Sequence, residues 1–118
     1  MAVCTNKPTG FSRRILEYLE VAHHFTAIAG PDLAGSRKPD PQHVLFALAP
    51  TGVSIEDALF VGDMPIDVAA ARASGMDVAV IATGSSSAEV LREAQPDHFL
   101  ESFPELLLVL RQGALAAR

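Results

Sequence analysis

The chain has one cysteine, no tryptophan and one tyrosine in 118 residues. A lone Cys4 excludes an internal disulfide and a thiolate metal cluster. In a strand-like piece so near the start, it reads as a small buried hydrophobe. Positive charge is also scarce: 9 Lys and Arg stand against 14 Asp and Glu, for a net charge of −5. With no basic stripe, nucleic acid is not an expected partner. No apolar stretch approaches the roughly 20 residues of a membrane span. Met1 is followed by no apolar leader core, so the expectation is a soluble cytoplasmic protein with no membrane partner. His23-His24, His43 and His98 are scattered among different elements, without the spacing of metal ligands. No G-x-G-x-x-G follows a strand, which argues against a dinucleotide-binding role. No pair of aspartates has the spacing D-x-D anywhere in the chain.

What is present is an alternation of strands and helices. A length of 118 residues fits one domain, and 49% hydrophobic content suits a packed core. Ala2–Thr5 reads as a short strand. Phe11, Ile15, Leu19 and Ala22 then recur at helical spacing. Thr26–Ala29 is a second strand, ended by Gly30-Pro31, and residues 31–39 read as loop. Asp40-Pro41 opens a helix, with Asp as N-cap and Pro at the first turn. Val44, Leu45 and Leu48 form its expected inner face, and Pro50 with Gly52 ends it. Ala58–Val61 is a continuous apolar strand, as in parallel sheets covered on both faces. A helix follows over 66–74, stopped by Gly75, and then a strand over Val78–Ala82. Ser86 with Glu89 and Ser102 with Glu105 have the spacing of capping boxes for two more helices. Pro96 and Gly113 are expected to close those helices, and His98–Leu100 to form an edge strand. The pattern predicts an α/β fold: one parallel sheet with helices on both faces.

In such sheets the site lies at the carboxyl ends of the strands. Thr5 and Asn6, the loop with Lys38, Gly62 and Asp63, and Thr83 and Gly84 occupy those positions. Within FVGDMPID, Asp63 directly follows a buried strand and Asp67 falls in the first helical turn. Two carboxylates there suit magnesium, which takes hard oxygen ligands. Asp67 is equally explained by the helix dipole, and Asp63 by a turn. Lys38 stands just before a helix start, a position that a neighbouring phosphate would favour. Thr5 offers a hydroxyl, with backbone amides after it, either to phosphate oxygens or to the turn itself.

The three segments TNK, KPDP and FVGDMPIDVAAARASGM occur in that order. Together they resemble the haloacid dehalogenase superfamily, and within it the phosphoglycolate phosphatases. The resemblance runs from about Ala2 to Leu107. It implies a Rossmann-like three-layer α/β/α core and magnesium-dependent hydrolysis of a small phosphomonoester. Thr5 and Asn6 would hold phosphate. Lys38 would neutralise the phosphoryl group, and Asp63 and Asp67 would help hold Mg2+. Thr5, Lys38 and Asp63 are thus the catalytic candidates. The departure is equally specific. The D-x-D-x-T strand that carries the family's nucleophile has no counterpart here, nor has the cap inserted after it. The chain reads as the C-terminal part of a larger phosphatase core, an incomplete fold holding a phosphate and metal half-site. The missing strand would lie between the strand ending at Thr5 and the one ending at Gly62. Two unpaired inner edges would favour self-association or capture of a complementing N-terminal segment. The alternative function is an inactive phosphate-binding or interaction module.

Overall fold

The computed structural model describes residues 1–116. Five short strands and six helices alternate in the order β1 (Ala2–Cys4), α1 (Thr9–Tyr18), β2 (Ala27–Ala29), α2 (Pro31–Ala34), α3 (Pro41–Leu48), β3 (Leu59–Gly62), α4 (Pro65–Ser74), β4 (Asp77–Ile81), α5 (Ala88–Glu93), β5 (His98–Leu100) and α6 (Phe103–Ala116). All pairings are parallel, as the apolar runs and intervening helices require.

The strands form two separate sheets. β1 pairs with β2, and β3–β4–β5 form a second ladder with β4 at its centre. Central β4 is covered on both faces. Val78 and Val80 join Phe60, Val44, Val68, Ala71, Met76 and Leu91 in the main core. Ala79 and Ile81 point the other way, onto Leu100 with Leu59, Leu106 and Val109. That alternation gives the strand its unbroken apolar sequence and produces three layers.

Between β1 and β3 there is no ladder. Their facing edges border an apolar cavity of about 580 Å³, walled by Ala2, Val3 and Cys4 on one side and Leu59, Phe60 and Val61 on the other. Two unpaired inner edges are what the family resemblance implied. The half-sheets are joined instead by helices: α3 packs on β1 and β2, α4 on β3 and β4, and α3 against α4.

Several local expectations need correction. The 31–39 segment contains the single-turn helix α2, begun by Pro31 and ended at Gly35 with φ +70°. The apolar stripe of α1 faces outward: Phe11, Ile15, Tyr18 and Leu19 are exposed, while Thr9 and Ser12 are buried. On α3, Val44 is buried but Leu45 is exposed, and His43 takes the inner position with Nε2 2.8 Å from the Ala29 carbonyl. The N-cap of α5 is Ser87, whose Oγ accepts from the Val90 N–H, one residue after the expected Ser86. Glu105 folds back onto the Glu101 N–H rather than onto that of Ser102. Gly113 does not stop α6, which continues to Ala116. A glycine in a helix costs only about 1 kcal/mol relative to alanine, and Ala114-Leu115-Ala116 are strong helix formers.

Candidate phosphate and metal half-site

The carboxyl ends of β1 and β3 lie on the two sides of the cavity, and the polar candidates gather at their ends. Local turn chemistry places the first of them. The Thr5 N–H donates to the Ala29 carbonyl and extends the β1–β2 ladder by one bond. Thr5 Oγ1 accepts from the Lys7 N–H at 3.1 Å and closes a turn. Its own O–H remains a donor.

Asn6 reaches across 32 residues of sequence. Its Oδ1 accepts from the Lys38 N–H at 2.9 Å, and its Nδ2 donates to the Lys38 carbonyl at 3.2 Å. Lys38 is therefore held at the main chain. Its ammonium is held as well: Nζ donates to Asp67 Oδ1 at 2.7 Å, with the two side chains only 13% and 5% exposed. The same ammonium stands 5.7 Å from the Phe60 ring centroid.

Asp67 is set by the start of α4. At the third helical position, its Oδ2 accepts from the backbone N–H groups of Asp63 (3.0 Å) and Met64 (3.1 Å). This is the carboxylate half of a capping box, and it also fixes the turn that presents Asp63. Gly62 makes the approach possible, because a Cβ there would collide with the Asp67 carboxylate. A buried carboxylate with three donors, one of them a paired ammonium, is well compensated.

Asp63 is the open member of the pair. Its Oδ2 accepts from Thr83 Oγ1 (3.0 Å) and Ser85 Oγ (2.7 Å) in the loop after β4. Among the described residues, its Oδ1 has no protein donor. Thr83 was accessible from its strand-end position, but Ser85 reads in sequence only as loop. A small cavity of about 260 Å³ lies beside Asp63 and Thr83, flanked by Phe103.

Cys4, at the end of β1, borders the larger cavity. Burial pushes its thiol up to about 11; the Lys38 charge opposes that shift and the Asp67 charge adds to it. It is thus a neutral thiol, as expected for a small buried hydrophobe. Lys7 and Arg37 are exposed.

The structure therefore brings Asn6, Lys38, Asp67 and Asp63 into one connected network and leaves Thr5 beside it. No group of three or more His, Cys, Asp or Glu side chains with metal-binding geometry occurs among the described residues. None of their helices is long and apolar enough to cross a membrane.

Comparison with known proteins identifies the family and the fold. Residues 1–81 match the family described as haloacid dehalogenase-like hydrolase. The chain is 36% identical over 114 residues to phosphoglycolate phosphatase 1 of Pseudomonas aeruginosa, covering 97% of this chain and 42% of that protein. It is 44% identical over 86 residues to the phosphoglycolate phosphatase of Rhodospirillum rubrum, covering 73% of this chain and 36% of the relative. Among solved structures, a predicted phosphatase from Clostridium acetobutylicum superposes with a TM-score of 0.83 at 30% identity, over 93% of this chain and 51% of the other. The chain belongs to the haloacid dehalogenase-like hydrolase family, related within it to the phosphoglycolate phosphatases, and carries part of the family's α/β core. It spans about half the length, or less, of these relatives.

Proposed function

We propose that this chain supplies the phosphate and metal half-site of a magnesium-dependent phosphatase acting on a small phosphomonoester such as 2-phosphoglycolate. The observation that carries the reading is the hydrogen-bonded network at the carboxyl ends of β1 and β3. A fixed ammonium, a hydroxyl and an open carboxylate stand at the ends of β1 and β3, two strands whose facing edges share no ladder.

Phosphoryl transfer depends on positioning and charge compensation. Lys38 is the cation aimed at the phosphoryl oxygens. Thr5 donates its hydroxyl, and Asn6 stands beside it. Asp63, with one oxygen free of protein donors, is the direct metal candidate, and Asp67 lies behind it in the same network. One or two carboxylates completed by water and phosphate oxygens are an ordinary Mg2+ environment, so the donor set fits the ion. The ion would contribute charge neutralisation at the phosphoryl oxygens.

No third carboxylate stands at these strand ends among the described residues, so the reacting carboxylate must be supplied from outside them. The apolar walls between β1 and β3 suit an extended strand that bonds to both edges and presents that carboxylate at their carboxyl ends. Adding a separately made segment containing D-x-D-x-T should yield Mg2+-dependent hydrolysis of 2-phosphoglycolate, lost in Asp63→Asn. No turnover with any of several segment lengths would overturn the reading. It would favour the alternative, for which the lack of a reacting carboxylate is the motivating observation: a phosphate-binding or interaction module. That module predicts no turnover by the chain alone and Asp63-dependent binding of Mg2+ or phosphate.

A further inference from the structure

We infer that Asn6 works as a positioning residue for Lys38, rather than as a phosphate ligand in its own right. This inference rests on the proposed half-site and assigns a division of labour within it.

The carboxamide of Asn6 is matched to the main-chain N–H and C=O of Lys38 as a strand neighbour would be: acceptor to N–H at 2.9 Å, donor to C=O at 3.2 Å. The pair is partly buried and spans 32 residues, so it ties the turn after β1 to the loop before α3. Without it, Lys38 sits in an irregular segment between α2 and α3, where the neighbouring Arg37 and Pro39 are exposed. The far end of Lys38 is tied to Asp67 on α4. A lysine side chain has considerable rotamer entropy to lose. Pinning both its main chain and its ammonium removes that freedom before any ligand arrives. This is the preorganisation a phosphoryl-binding cation needs. The main-chain bonds of Asn6 use its carbonyl oxygen and one N–H. With its oxygen and one of its two N–H donors committed to Lys38, its contribution to phosphate binding is assigned to holding that lysine.

The test uses the full chain and needs no turnover, so it stands apart from reconstitution of hydrolysis. In the wild type, NMR should detect a through-hydrogen-bond coupling between the Lys38 amide nitrogen and the Asn6 side-chain carbonyl carbon. Absence of that coupling overturns the proposal, and this holds even if variants fail to fold. In Asn6→Ala, amide exchange at Lys38 should rise about tenfold, the factor for one lost hydrogen bond. Asn6→Asp keeps the acceptor and should restore the protection. Unchanged exchange in Asn6→Ala would overturn the proposal.

The second arm titrates inorganic phosphate with Mg2+ into a double-mutant cycle. Asn6→Ala should weaken binding about tenfold in the wild-type background and have no further effect in Lys38→Met. An equal loss in both backgrounds would mean that Asn6 touches phosphate directly, and would sink the inference. No phosphate binding by the wild type would count against the half-site reading, while the Lys38 exchange data would still decide the role of Asn6.

Discussion

The two half-sheets are built to different standards. β3–β4–β5 has a central strand closed on both faces: Val78, Ala79 and Val80 are fully buried, and Leu91 seals one side. β1–β2 has Ile28 and Ala29 inside, but all three residues of β1 are only partly buried. One edge of β1 borders an open cavity. The first region carries its own core. The second is a platform that presents Thr5, Asn6 and Lys38 and depends on its surroundings for closure. In this chain, the groups assigned to phosphate lie on the less finished half and the groups assigned to metal on the finished one.

The largest expected effect tests the link between the halves. Asp67→Ala removes the partner of a nearly buried ammonium and strands two main-chain donors, and should cost about 3–5 kcal/mol. Lys38→Met should cost distinctly less, because Asp67 keeps its two backbone donors. Denaturant titrations of both variants check this, and equal losses would mean that the ion pair, not the turn, dominates. Next, paired core truncations test the two standards directly. Leu91→Ala should fall near the top of the ~2–5 kcal/mol range for large-to-Ala core changes, and Ile28→Ala near the bottom. Leu91 belongs to the main core cluster, whereas Ile28 lies in neither hydrophobic cluster. A reversed order would break the comparison.

Gly62→Ala acts at the seam. Its new Cβ must displace the Asp67 carboxylate, with a loss of about 1–3 kcal/mol and weakened Mg2+ binding in calorimetry. The smallest effect is in acid. Each half has one carboxylate held below its ordinary value. Asp32 is lowered by the Thr9 backbone N–H and then its hydroxyl; Asp97 is lowered first by its Arg72 hydrogen bond and also by the Val78 N–H. A depressed folded value means that the stabilisation is complete above the unfolded value of about 4. It is lost as pH falls through the folded one. Melting curves from about pH 6 down to pH 3 should therefore decline, and Asp97→Asn and Asp32→Asn should each flatten that decline. Asp97 should have the greater effect, because its partner is an arginine.

Much of the architecture was legible. Strand positions, helix starts such as Asp40-Pro41 and the stop at Gly75 all depend on local chemistry, and Gly75 indeed has φ +78°. The orientation of α1 was not legible. Period 3.6 in Phe11, Ile15 and Leu19 identifies an apolar face but not which side the core is on. Here Thr9 and Ser12 turn inward, because Thr9 is needed beneath Gly30 and Asp32. His43 gave no signal of burial, since its bond to the Ala29 carbonyl is a tertiary match. At the candidate site, the strand-end rule singled out Thr5, Asn6, Lys38 and Asp63, and the FVGDMPID motif added Asp67. Neither revealed that Asn6 pairs with main-chain groups 32 residues away, or that Ser85 bonds to Asp63, because those contacts exist only after the chain has folded.

The α3–α4 contact has a further consequence. In a continuous sheet, strand spacing is dictated by hydrogen bonds at about 4.8 Å per step. Here β1 and β3 are held apart by how α3 and α4 pack, with the Lys38–Asp67 pair as the one ion pair, among the described residues, that links the two half-sheets. The fold behaves like a clasp whose jaws are sheet edges and whose hinge is a helix pair. The packing of that helix pair therefore sets how far apart the jaws stand.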